Sequence, residues 1–177
     1  MRSVLILLAA LVVSACDGNT PLMNASADGA NEQVKGFLTN GIDVNEKNNY
    51  GWTALNHAAR SGYVETAKLL IEKGAKVDAV DDTGWTPLMR AAQKGHTPMV
   101  KFLIENGADV NAVNSDGWTA LMWASLRKKL STIKYLVSVD GIDVNHQSKD
   151  GRSAILIAIT ENNNDILVVL QDAGARP

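Results

Sequence analysis

Cysteine is almost missing from this chain: a single Cys16 in 177 residues excludes an internal disulfide framework and leaves one thiol to be explained by its position. A bias of charge is missing too. Seventeen Lys and Arg against 19 Asp and Glu give a formal charge of −2, without the basic excess of a nucleic-acid binder. The longest apolar run, Val4 to Val13, has ten residues, well short of the about 20 that span a bilayer. No G-x-S-x-G elbow, phosphate-binding P-loop or dinucleotide glycine pattern occurs. The Asp residues sit in turns and lack the alternation of a calcium loop, and His57, His96 and His146 fall in unrelated positions, without Cys or paired carboxylates at ligand spacing. The expectation is a protein that is not an enzyme, with no cofactor and no metal site. What remains is an ordinary globular composition, 46% apolar, sized for one compact domain.

The N-terminus belongs to targeting. Met1-Arg2-Ser3 carries one positive charge, the ten-residue apolar run has the length of a signal-peptide core, and Val13-Ser14-Ala15 leads directly to the only cysteine. The segment Val13-Ser14-Ala15-Cys16 resembles the lipobox of bacterial lipoprotein precursors. That resemblance implies removal of residues 1–15, acylation of Cys16 and a lipid-anchored protein facing the periplasm, since two or three acyl chains suffice for stable anchoring. The alternative is an ordinary cleavage site with Val13 and Ala15 as its small residues, which leaves a soluble periplasmic protein. Asp17 after the cysteine resembles an inner-membrane retention signal, but Asp17-Gly18-Asn19-Thr20 also aligns with Asp116-Gly117-Trp118-Thr119 further on, so inner versus outer membrane stays open.

From Thr20 onward one phrase returns. Thr20, Thr53, Thr86 and Thr119 stand 33 apart, and Ser153 follows at 34 because one residue enters the loop around Ser138 to Gly141. Each Thr or Ser is a helix N-cap, with Pro or Ala in the first turn and an alanine-rich stretch that keeps the helix thin for a neighbour. Gly29, Gly62 and Gly95 close this first helix, a second follows with an apolar spine such as Val100, Leu103 and Ile104, and Gly41, Gly74, Gly107, Gly141 and Gly174 end it. Clusters such as Asp81-Asp82-Thr83-Gly84 then turn the chain back. A 33-residue unit of this kind cannot bury its own apolar face and must stack on copies of itself. The expected units are 20–52, 53–85, 86–118, 119–152 and a C-terminal cap over 153–177, behind a lead-in of 16–19.

Gly84-Trp85-Thr86-Pro87-Leu88 through Gly95-His96 to Gly107-Ala108-Asp109-Val110-Asn111 resembles the unit of the ankyrin repeat family, and the resemblance extends over residues 17–177. It implies an all-α solenoid of about five helix-turn-helix-loop units, with turns and first helices lining a concave side, and a protein that binds another protein. Three departures matter. The family's His after T-P-L is replaced by Met23, Asn56, Met89, Met122 and Leu156, so apolar packing is expected to stand in for its polar link. Lys128 occupies the fourth unit's inter-helix glycine position, and Asn162 the fifth's. Val168 falls where earlier units have Lys35, Lys68, Lys101 and Lys134, and is expected to pack under the tail, the alternative being that this end of the stack meets something.

Trp52, Trp85 and Trp118 recur at intervals of 33, between turn glycine and capping Thr, a position that often contacts partners in the family. They are read as an exposed binding stripe for a protein partner, flanked by Tyr50, Arg90, Trp123 and Arg127, with Asn19 and Arg152 as its polar ends. The competing reading is that each Trp packs on its neighbouring loop and braces the array. Arg127-Lys128-Lys129, with Lys94 one unit earlier, reads as a solvated corner or as a contact for acidic lipid headgroups or an acidic patch. The expected function is a lipid-anchored protein-binding module of the bacterial envelope. Alternatives are a periplasmic immunity or chaperone-like protein that masks a toxic or unstable enzyme, and a structural spacer.

Overall fold

The computed structural model describes residues 17–177, so the signal-peptide and Cys16 expectations lie outside the described residues. Ten helices and no strand occur among them. They run in pairs: α1 (Pro21–Asp28) and α2 (Asn31–Thr39), α3 (Ala54–Ser61) and α4 (Val64–Glu72), α5 (Pro87–Lys94) and α6 (Thr97–Glu105), α7 (Ala120–Leu126) and α8 (Leu130–Leu136), α9 (Ala154–Thr160) and α10 (Asn164–Asp172). First helices stack on first helices and second on second, each pair touching only its neighbours closely. This is an all-α repeat solenoid.

The caps follow the sequence phrase. The hydroxyls of Thr20, Thr53, Thr86, Thr119 and Ser153 each accept from the backbone N–H three residues on, satisfying one of the orphan donors of a helix start. The residue three past each cap is Met23, Met89 or Met122 in units 1, 3 and 4, each almost fully buried, so apolar packing does replace the polar link there. Unit 2 keeps a polar version: buried Asn56 Oδ1 accepts from Thr53 N and Oγ1, and its amide donates to Ala79 O.

The core is one continuous strip. Leu22, Leu55, Leu88, Leu121 and Ile155 of the first helices are buried with Val34, Leu70, Leu103, Leu136 and Leu170 of the second, while Ala58, Ala91, Ala124 and Ala158 allow close helix approach. Between the two helices of unit 3, Gly95 has φ 82°, and a Cβ there would lie 2.6 Å from the Lys129 side chain of the next unit. Lys128 adopts the same left-handed conformation, φ 55°, without being glycine. Val168 does not pack under the tail: it is 53% exposed, and the chain past α10 is held against unit 4 instead, with Ala175 buried and Arg176 N donating to Asn145 Oδ1.

Two further rows of bonds tie unit to unit. Backbone N–H groups of Asn49, Asp82, Ser115 and Lys149 donate to the carbonyls of Asp17, Tyr50, Thr83 and Asp116, joining successive turns at 3.0–3.3 Å. At the opposite edge, Asn45, Asn111 and Asn145 donate to the carbonyls of Gly74, Gly141 and Gly174 and accept a backbone N–H from the same neighbouring unit. Asp78 holds this position in unit 2 and can only accept, from Asp109 N.

Candidate functional site: an interdigitated aromatic row and the cleft at its end

Each Trp is placed by the turn before it. The side-chain oxygens of Asn48, Asp81 and Asn114 accept the N–H groups two and four residues on, which fixes the backbone of Trp52, Trp85 and Trp118 at 2.8–3.0 Å. Five residues further along, on the first helices, stand His57, Arg90 and Trp123. The two series interleave. Trp52 and His57 ring centroids are 5.0 Å apart, the Arg90 guanidinium lies 4.1 Å from the centroids of both Trp52 and Trp85, and Trp123 lies 4.2 Å from Trp85 and 4.6 Å from Trp118. Arg152 ends the row, 5.8 Å from Trp118, and Asn19 at the other end accepts from Asn48 Nδ2.

The exposed stripe expected from sequence is therefore corrected. Trp85 is 9% and Trp118 7% exposed, because the side chains from the helices fill the gaps between the indoles. Trp52, at the end of the row, and Trp123, on α7, are half-buried. Arg90 is locked by an ion pair with buried Asp81. Burial alone would raise the Asp81 carboxyl, but hydrogen bonds from Trp85 N, Thr83 and Arg90 outweigh it and hold it below the ordinary carboxylate range. Burial also lowers the Arg90 pKa, against the opposing pull of Asp81. His57 is half-buried beside Arg60 and Arg90; desolvation first, and then these two cations, push it down to about 4, so it is a neutral imidazole at pH 7. Sequence reading missed His57 and Asp81. The available signal was the second 33-residue register, His57, Arg90 and Trp123, all planar side chains.

Beyond Trp52 the row opens into a cleft of about 410 Å³, whose walls include Asp17, Tyr50, Trp52, His57, Arg60 and Asp82. Tyr50 is 55% exposed, and Arg60 reaches over the Trp52 ring at 5.5 Å. The structure thus gathers Tyr50, Trp52 and Arg90 at the cleft and Trp85 inside the row, while Trp118 and Trp123 line a second cleft of about 340 Å³ with Asp116, Lys149 and Asp150. Arg127 joins neither: it lines a separate cavity with Gln93, Lys94 and Lys129. Among the described residues no group of three or more His, Cys, Asp or Glu side chains is placed to hold a metal ion.

The family model for ankyrin repeats matches residues 3–81, 22–114, 77–148 and 112–177, and the protein belongs to the ankyrin repeat family. Ankyrin repeat proteins are typically non-catalytic and bind other proteins. A search of curated proteins found no match to the chain.

Proposed function

We propose that the protein is a lipid-anchored module of the bacterial envelope that captures another protein through the cleft beside Trp52. The cleft carries this reading: a half-buried Trp there has an exposed Tyr and an Arg beside it. Tyr, Trp and Arg are the residues that dominate interface hot spots, and a rigid, pre-stacked surround lowers the ordering cost of binding. The lipobox-like Val13-Ser14-Ala15-Cys16, with the chain's sole cysteine, supports the anchor.

Two experiments test the two halves separately. Cys16→Ser should release the protein from the membrane pellet or stall its maturation; normal processing and retention of the variant would sink the anchor. For the cleft, the protein is isolated from its native cell with its partner, beside Tyr50→Ala and Arg60→Ala. Each variant should lose about tenfold or more in partner affinity with an unchanged melting temperature. Undiminished capture by both would move the binding face elsewhere.

A further inference from the structure

The inter-helix corner of units 3 and 4 concentrates positive charge that no carboxylate among the described residues neutralises. Gln93 and Lys94 close α5, Arg127 caps the end of α7, and Lys129 precedes α8; together they line a cavity of about 360 Å³. Helices α5, α7 and α8 carry no Asp or Glu at all, and the one carboxylate of α6, Glu105, lies at its far end beside Lys101. Among the described residues no carboxylate comes within 4.0 Å of Lys94, Arg127 or Lys129, although the protein as a whole is slightly acidic.

The corner is also built differently from its counterparts. In units 2 and 3 the residue after the inter-helix glycine, Tyr63 or His96, lies over the glycine of the preceding unit. His96 is satisfied there by the Arg60 carbonyl at 3.1 Å. Lys129 takes this place in unit 4: its methylene stem packs on Gly95, which holds the chain in position, while no carboxylate among the described residues pairs with the ammonium head. Between Arg127 and Lys129, Lys128 adopts the strained left-handed backbone and sends its own side chain onward to Glu161, 3.3 Å away in unit 5. Two of three consecutive cations thus face back toward Lys94, and the third, which has an acidic partner, leaves. Holding like charges together costs free energy in the empty site and returns it when an anion enters.

We propose that this corner is a binding site for a phosphoryl group, either free phosphate-type anions or the headgroup of an anionic phospholipid. An Arg fork and two Lys point charges beside a side-chain amide match a tetrahedral oxyanion of high charge, and the cavity has the size of a small-molecule site. The lipid headgroup is the source that a nearby membrane would supply, but the site stands independently of the anchor.

The test uses the full chain. Its melting temperature is followed against inorganic phosphate and pyrophosphate, with sodium chloride at matched ionic strength as reference. The expected result is a saturable rise, larger for pyrophosphate, whose half-point moves up about tenfold in Lys129→Gln and in Arg127→Gln. Lys101→Gln, far from the corner, should behave as the parent. All variants should melt normally in chloride, since removing mutually repelling charges does not harm the fold. In the second arm, vesicles of phosphatidylglycerol are compared with phosphatidylcholine; a preference that Lys94→Gln/Arg127→Gln/Lys129→Gln abolishes assigns the lipid as source, and its absence assigns soluble phosphate. A chloride response equal to the phosphate response, or an unchanged phosphate response in the corner variants, overturns the proposal. So does a polyglutamate peptide that binds the corner more tightly than pyrophosphate, because the ligand is then protein carboxylate.

Discussion

Replacing Trp85 by Ala separates bracing from binding, because this indole sits at the middle of the interdigitated row. It is 9% exposed, with the Arg90 guanidinium 4.1 Å and the Trp123 ring 4.2 Å from its centroid. Deleting a packed Trp side chain from a core costs about 3–5 kcal/mol, a figure that already contains its aromatic and cation–π contacts of about 0.5–1.5 kcal/mol each. Water can partly fill a hole that opens toward the turn face, so the low end, about 3 kcal/mol, is the expected loss. For a folded region of this size about 1 kcal/mol shifts the melting temperature by about 2–4 °C, which puts the drop near 6–12 °C. Far-UV circular dichroism with heat and with urea is the suitable readout, since the substitution itself removes a fluorophore. Trp52→Ala should fall much less, because that ring is half-buried and has the open cleft on one side. A Trp85→Ala protein that melts within about 2 °C of the parent would refute the row as a brace. A double-mutant cycle with Trp123→Ala should then show coupling of about 0.5 kcal/mol or more in the parent background.

Leu88→Ala and Leu103→Ala, both essentially unexposed in the central unit, should each cost about 2–5 kcal/mol in a urea titration. Gly95→Val should destabilise further than a β-branched residue does on an exposed helix, since it combines φ 82° with a collision against Lys129; a normal melting curve would contradict the observed turn. Asp78→Asn should stabilise by about 1 kcal/mol, because an amide can donate to the Gly107 carbonyl as Asn45, Asn111 and Asn145 do in their own units. Burial raises the Asp78 carboxyl, so the parent gains from its protonation as pH falls, and Asp78→Asn should remove that contribution. His57 acts in the opposite sense. Its folded-state pKa of about 4 lies below 6.5, so the unfolded chain binds the proton more readily and stability drops as pH falls from about 6.5 to about 4, by up to about 3 kcal/mol; His57→Phe should flatten that part of the pH profile of melting.

The 33-residue register was enough to place the caps, because a hydroxyl before Pro-Leu or Ala-Leu has a local reason to accept from the N–H three residues on, and all five do. The left-handed positions were equally legible, including Lys128 and Asn162, since the repeat imposes the backbone whatever residue fills it. Exposure of the indoles was not. A recurring Trp can form an open stripe or a closed row, and the difference lies in His57, Arg90 and Trp123, five residues away across a helix cap where the chain changes direction. Periodicity reports that each series is in register with itself, and says nothing about whether two series interdigitate. Arg127 was misplaced for a related reason: it stands one turn past Trp123, at the C-cap of α7, where its side chain lines the inter-helix cavity with Lys94 and Lys129 instead of entering the aromatic row.

The first helix pair, α1 and α2, stands outside the row. Asn24 is its residue at the position of His57, Arg90 and Trp123, and Asn19 precedes its cap where α3, α5 and α7 have Trp, so this end joins the turn-face series by a single side-chain hydrogen bond, Asn48 to Asn19. Yet its lead-in supplies Asp17 to the wall of the cleft. A partner seated there would therefore press one jaw that is cemented by three indoles and one that rests on its helix contacts, the Asp17 carbonyl and a link between two amides. In a nearest-neighbour array the end unit opens at the lowest cost, so the mouth of the cleft is set to the stiffness of its weaker jaw, and widening it leaves the rest of the stack undisturbed.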